Sequence, residues 1–158
     1  MTIPDRSALR QRLLTLLAAE TQQVNEFIAL LEQERDVLAG HDVEPLFALS
    51  EQKSRFARQL QQLGDGRTSV LHQAGLPNDK TGVETLVGKD GQQIWASYLA
   101  AATRAQQLNQ ENGAHITARL SQNHQALAIL MAHSDQPTVY GPDGSSRTRP
   151  GSRLLGSY

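Results

Sequence analysis

The apolar residues of this chain recur in steps of three and four over long stretches, the spacing of one face of an α-helix. Leu17, Val24, Leu31 and Leu38 repeat every seven residues, flanked by Leu13, Phe27 and Ile28. They predict a first helix over about residues 4–39, with Pro4 in its first turn, a capping-box spacing at Thr2 and Asp5, and Gly40 as its C-cap. At 1.5 Å per residue such a helix is roughly 54 Å long. A second helix is predicted over 43–63, with Asp42 as N-cap and Pro45 in the first turn. Its seam is Leu46, Leu49, Lys53, Phe56, Leu60 and Leu63, and Gly64 ends it. A link as short as Gly40-His41-Asp42 forces the two helices antiparallel. Symmetry about that turn sets Leu38 near Leu46, Leu31 near Lys53 and Val24 near Leu60.

Residues 64–90 break the pattern with Gly64, Gly66, Gly75, Gly82, Gly88 and Pro77. Short connector helices fit at 69–74 and about 80–87, leaving Val70, Leu71, Leu76, Val83, Leu86 and Val87 to cover the open end of the hairpin. A third long helix is predicted over 91–133, with Asp90 and Gln93 at capping-box spacing. Trp95, Leu99, Ala102, Asn109, Gly113, Ile116, Leu120, Leu127 and Leu130 share one stripe, and Ala100, Ala101, Ala102 and Ala105 form a face that lets another helix approach. Asn-Gly is ordinarily a hairpin-turn signal, so the alternative is two helices broken at Asn112-Gly113. The stripe keeps phase across the glycine, which favours one continuous helix. An amide and a glycine in the seam cost helix stability, so they should serve close packing, register or a partner.

The expected fold is therefore all-α. A long antiparallel helical hairpin packs with a third long helix in a coiled-coil-like bundle over 1–133, followed by a flexible C-terminal tail over 134–158. The tail holds Pro137, Pro142 and Pro150 with four glycines and three arginines in 25 residues, too little apolar surface to stay folded alone. Val139, Tyr140, Leu154, Leu155 and Tyr158 are sticky islands in it, which suits folding coupled to binding.

Composition supports long helices over a compact core. The chain is 39% hydrophobic and only 4% aromatic, and Gln and Ala, both good helix formers, fill the difference. A formal net charge of −1 gives no reason to expect nucleic acid or an anionic membrane as partner. The lack of cysteine excludes disulfides, Cys-ligated zinc and thiol catalysis, and is compatible with a bacterial cytoplasm. The N-terminal residues show no signal-peptide h-region, and no apolar run approaches the ~20 residues that span a bilayer. A soluble, cytoplasmic protein without direct membrane insertion is expected.

Candidate chemistry is sparse. His115, His124 and His133 are nine residues apart, so successive ones point about 180° away from each other on a helix. The neighbours His133-Ser134-Asp135 cannot face one another as a catalytic relay. Gly64-Asp65-Gly66-Arg67-Thr68-Ser69 faintly resembles a phosphate loop but lacks its strand, length and Lys, and reads better as a helix stop followed by an N-cap. Glu32, Glu34, Glu44 and Glu51 have no spacing for paired acid–base work. No catalytic, cofactor or metal site is expected, and the chain does not read as an enzyme. Lys53 either snorkels with its stem over the seam or pins the register by meeting Glu34 across the hairpin. Asn109 is either a helix-register amide or a partner contact.

Three stretches in order, within an all-helical frame, resemble the FlgN family, the flagellar type III export chaperones for hook–filament junction proteins. They are Leu30-Leu31-Glu32 through Asp42 and Lys53; Trp95 with Leu108-Asn109 and Asn112-Gly113; and Tyr140-Gly141-Pro142-Asp143-Gly144. The resemblance covers about residues 9–144. It implies a non-enzymatic cytoplasmic chaperone that holds hook-associated proteins unassembled and delivers them to the flagellar export gate, without ATP or metal for holding. It further implies client binding by the end of the third long helix with the tail, and gate docking through the tail tyrosine. The partner-binding candidates are thus Asn109, Asn112, Gly113, Leu120, Leu127, Leu130, Tyr140, Gly141, Pro142, Asp143 and Gly144. A coiled-coil adaptor or regulatory subunit with no chaperone role is the alternative, and nucleic-acid binding is disfavoured by the lack of any basic stripe.

Overall fold

The computed structural model describes residues 4–132 and, as backbone, 138–140 and 146–148. The elements are α1 (Arg6–Ala39), α2 (Leu46–Gln73), α3 (Lys80–Val87), a 3₁₀ turn (Lys89–Gly91), α4 (Gln92–Ala132), β1 (Thr138–Tyr140) and β2 (Ser146–Thr148). The chain divides into two units, Met1–Asn112 and Gly113–Tyr158.

In the first unit α1 starts two residues later than expected. Asp5 is itself the N-cap, its carboxylate accepting from the Ser7 amide at 3.0 Å. The buried residues of α1 follow the predicted heptad: Leu13, Leu17, Val24, Leu31 and Leu38. Two glutamates, Glu20 and Glu34, are buried in the same seam. After Gly40, Asp42 accepts from the Glu44 amide at 3.1 Å, and α2 begins at Leu46 with Pro45 as N-cap, not at 43.

The main departure from expectation is the end of α2. It does not stop at Gly64 but continues through Gly66 to Gln73, absorbing the separate helix expected at 69–74 and the stretch read as a helix stop and N-cap. Each glycine costs a helix interior about 1 kcal/mol relative to Ala. Burial of Val70 and Leu71, both fully shielded, outweighs that cost. Gly66 also helps, because a Cβ there would come within 3.3 Å of Leu16 Cδ2. The helix closes at Gly75, whose φ of +69° suits glycine, with the Leu76 amide reaching back to the Leu71 carbonyl at 2.9 Å and the Gly75 amide to His72 at 3.0 Å.

The second connector helix lies where expected, α3, with Asp79 accepting from the Gly82 amide at 2.8 Å. Gly82 has no room for a side chain, since a Cβ would sit 1.9 Å from the Pro77 carbonyl oxygen. Asp90 does not open α4 as an N-cap; it lies in the 3₁₀ turn, its carboxylate 3.4 Å from Arg10 Nη2.

The core has two parts. Leu9, Leu13 and Leu17 of α1 meet Val70 and Leu71 of α2, Val83, Leu86 and Val87 of α3, and Trp95 of α4, so the connector does cover the open end of the hairpin. Farther along, Val24 and Leu31 meet Ala101, Ala105 and Leu108 of α4, with Phe27, Ile28, Leu60 and Tyr98 at the margin. The buried line of α4 is Trp95, Ala101, Ala105, Leu108 and Asn112, which displaces the expected stripe by about one position. Leu99 is left 36% exposed and Asn109 is exposed. Asn112 finds its acceptors on α1, the Leu31 carbonyl and the Glu34 carboxylate, and this hydrogen bonding selects the face that α4 turns inward over the larger apolar area of Leu99.

The helix α4 has no break at Asn112-Gly113. Close packing is not the reason for Gly113, because a Cβ there would meet nothing within 4 Å. In the second unit, the α4 residues Leu120, Ile129 and Leu130 are 42%, 65% and 65% exposed, while Ile116 and Leu127 are half-buried. The strands β1 and β2 pair antiparallel, with Thr138 opposite Thr148 and Tyr140 opposite Ser146. The remaining tail positions, including Gly141, Pro142, Asp143 and Gly144, lie outside the described residues.

Candidate partner-binding site

Two polar layers interrupt the apolar seam of the first unit. The upper layer joins three helices. Glu34 of α1, its side chain 4% exposed, receives Lys53 Nζ of α2 at 3.1 Å and Asn112 Nδ2 of α4 at 2.9 Å. Asn112 Nδ2 also donates to the Leu31 carbonyl at 2.9 Å, and Lys53 Nζ donates to Asn109 Oδ1 at 2.8 Å. Lys53 thus meets Glu34 across the hairpin as the register reading expects, and Asn109 accepts from the same ammonium at the exposed edge. The buried members, Glu34 and Asn112, sit where a shifted register would strand them, the use of buried polar groups best attested in coiled coils.

The lower layer is Glu20, Arg67, Tyr98 and Trp95. Glu20 Oε1 lies 3.6 Å from Arg67 Nη2, and the two side chains are 3% and 20% exposed. The Arg67 guanidinium sits 5.1 Å over the Tyr98 ring, which stacks on Trp95 with centroids 5.4 Å apart and planes 17° from parallel. Glu20 Oε2 and Arg67 Nε are buried without a hydrogen-bond partner among the described residues. Desolvation pushes the Glu20 carboxyl above its ordinary value, and the Arg67 charge opposes this only in part. Beside this layer α2 and α4 stand apart over α1, leaving a cleft of about 510 Å³.

Neither Glu20 nor Arg67 was singled out by sequence reasoning, although a signal existed. Three residues beyond Leu17, Val24 and Leu31, the heptad places Glu20, Phe27 and Glu34 in one column, so a carboxylate in the seam was legible at both ends. Arg67 was obscured by the glycines around it.

Of the partner-binding candidates, Asn109 and Asn112 belong to the upper layer, Asn112 at 2% exposure with its amide committed within the chain. Gly113, Leu120, Leu127 and Leu130 lie together on the second-unit part of α4, with Leu120 and Leu130 facing solvent. Tyr140 is in β1, and its four following candidates are outside the described residues. Among the described residues no group of three or more His, Asp or Glu could hold a metal ion. Among the same residues, no helix is long and apolar enough to cross a membrane.

Long helices around a thin apolar seam, pinned by buried polar layers, define an all-α bundle of the coiled-coil-like class. A family profile described as FlgN protein matches residues 1–148, and the chain belongs to the FlgN family. It is 25% identical over 141 residues to the flagella synthesis protein FlgN of Proteus mirabilis, covering 88% of this chain and 92% of that one. It is 26% identical over 148 residues to the flagella synthesis protein FlgN of Yersinia enterocolitica, covering 92% of this chain and 95% of that one. No solved structure matches significantly.

Proposed function

We propose that this protein is a cytoplasmic flagellar export chaperone that binds hook-associated junction proteins, prevents their premature assembly and delivers them to the export gate. The observation that carries the reading is a pair of exposed leucines on α4 beyond Gly113, Leu120 and Leu130, in a chain of the FlgN family. An exported subunit that polymerises through an amphipathic helix needs that face covered beforehand, and helix-in-groove docking does so without chemistry. Leu120, Leu127 and Leu130 recur at helical spacing and supply the matching apolar stripe. With the amide of Asn112 serving the bundle, the client surface begins beyond Gly113 and continues into the tail. Tyr140-Gly141-Pro142-Asp143-Gly144 serves as the gate-docking segment, with Pro142 and Gly144 favouring a turn and Tyr140 as the anchor.

Titration of the purified chain against hook-associated proteins and against the export-gate component tests both assignments. Leu120→Ala with Leu130→Ala should weaken client binding, and Tyr140→Ala should weaken gate binding about thirtyfold at unchanged melting temperature. Unchanged affinities in both variants refute the assignments, and failure of the unaltered chain to bind any hook-associated protein refutes the function.

A further inference from the structure

From Gly113 onward α4 carries a seam of its own. Gly113, Ile116, Leu120, Asn123, Leu127 and Leu130 alternate steps of three and four, a repeat of about 3.5 residues held for about two and a half heptads. A straight helix drifts about 20° per heptad against such a repeat, so the whole seam stays in contact only with another helix that supercoils around it. All six residues lie in the second unit, and none of them is buried. Leu120, Asn123 and Leu130 are exposed, and Ile116 and Leu127 are half-buried.

Charge gives this seam little means of choosing a partner. From Ala114 to Ala132 the one residue among Asp, Glu, Lys and Arg is Arg119. The positions flanking the seam, Thr117, Arg119, His124 and Ala126, hold no carboxylate, so the usual interhelical ion pairs lack their acidic half on this side. Selectivity falls to the polar member of the seam. Asn123 sits between Leu120 and Leu127, and its side chain makes no hydrogen bond among the described residues. Under an apolar helix its amide would lose water and gain nothing, which costs affinity. A carboxamide opposite it matches donor to acceptor and acceptor to donor, whereas a charged group would be buried without a counter-charge.

A second copy of this chain fits the seam poorly. With the seams fully overlapped, a parallel pair sets Gly113 against Gly113 and leaves a gap, since a Cβ on Gly113 meets nothing within 4 Å. An antiparallel pair sets Asn123 against Leu120 and strands the amide.

We propose that Asn123 is the specificity-determining residue of client docking, and that the seam takes a heptad-patterned helix of an exported subunit carrying a single Asn or Gln in the layer facing Asn123. This rests on the chaperone reading above and names the chemistry of the helix that the same surface accepts.

The probes are the purified hook-associated proteins, titrated against the full chain. Asn123→Leu lengthens the apolar seam, so a merely tolerated asparagine would make this variant bind more tightly. An asparagine matched to a client amide makes it bind about tenfold more weakly, because that amide is left buried and unpaired. The weaker binding is the expected result, with unchanged affinity for the export-gate component. Asn123→Ala adds no apolar length and is expected to weaken client binding to a similar degree, which keeps the test open if Asn123→Leu self-associates. Replacing the Asn and Gln residues of the client helix singly by Leu should reveal one position that restores affinity for Asn123→Leu. Client affinity unchanged or tighter in both Asn123 variants overturns the proposal and leaves the chaperone reading intact. Sedimentation of the unaltered chain as a dimer that Asn123→Ala disrupts assigns the seam to a second copy and also overturns it. No client binding by the unaltered chain overturns both the proposal and the reading it rests on.

Discussion

Replacing Asn112 by Ala tests whether the upper polar layer holds α4 on the hairpin. The substitution removes a hydrogen bond to the buried Glu34 carboxylate and one to the Leu31 carbonyl, both 2.9 Å long. A bond to a charged acceptor contributes about 1.5–3 kcal/mol and one to a neutral carbonyl about 1 kcal/mol. Ala is the better helix former by about 0.5 kcal/mol, which offsets part of the loss. The net expectation is a destabilisation of about 2–3 kcal/mol. With a urea m-value of about 2 kcal/mol/M, the midpoint should fall by about 1–1.5 M. Trp95, the single tryptophan and 7% exposed in the core, reports the transition by fluorescence, with far-ultraviolet circular dichroism as the second probe. Lys53→Met removes the other donor to Glu34. The double variant should then lose more than the sum of the two singles, because the carboxylate is left buried and unpaired. Adding Glu34→Leu to the double variant should restore stability, since no charge remains to be satisfied. A loss below about 0.5 kcal/mol for Asn112→Ala, or no recovery on adding Glu34→Leu, refutes the reasoning.

Other perturbations follow from the same geometry. Leu31→Ala, at a fully buried site, should cost about 2–5 kcal/mol in urea unfolding, whereas Leu60→Ala, at a half-buried one, should cost about half as much. Gly113→Ala should stabilise by about 0.5–1 kcal/mol, because its Cβ enters open space and its φ is not left-handed; a lower melting temperature would contradict this. Glu20 has its folded carboxyl raised above the ordinary value by burial, so the unfolded chain releases this proton first as pH rises. Its contribution is full below the unfolded value and is lost as pH climbs through the folded one. The stability of the unaltered chain relative to Glu20→Gln should therefore decline between acid and neutral pH, and a difference that grows with pH would reverse the assignment of desolvation as the dominant cause.

The sequence determined what depends on local periodicity and chain length. The heptads of Leu17 to Leu38, the short Gly40-His41-Asp42 link and the seam through Lys53 and Leu60 permit little but an antiparallel hairpin. Glycine at 75 and 88, with φ of +69° and +67°, marks real helix ends because only backbone conformation is involved. The Lys53–Glu34 pair was legible because Lys53 lies opposite Leu31 about the tight turn, and Glu34 is one helical turn from Leu31.

Tertiary structure decided matters in which packing opposes propensity. Gly64 and Gly66 read as stops, yet α2 passes through them because Val70 and Leu71 have a core to enter, and a sequence shows no such core. The face that α4 turns inward was settled between Leu99 and the smaller Ala101 and Ala105 by the acceptors that α1 holds opposite Asn112. The cleft beside Glu20 and Arg67 exists only because three helices diverge there. Periodicity along one helix carries no information about the distance between two others, which is set by the side chains that meet across all three.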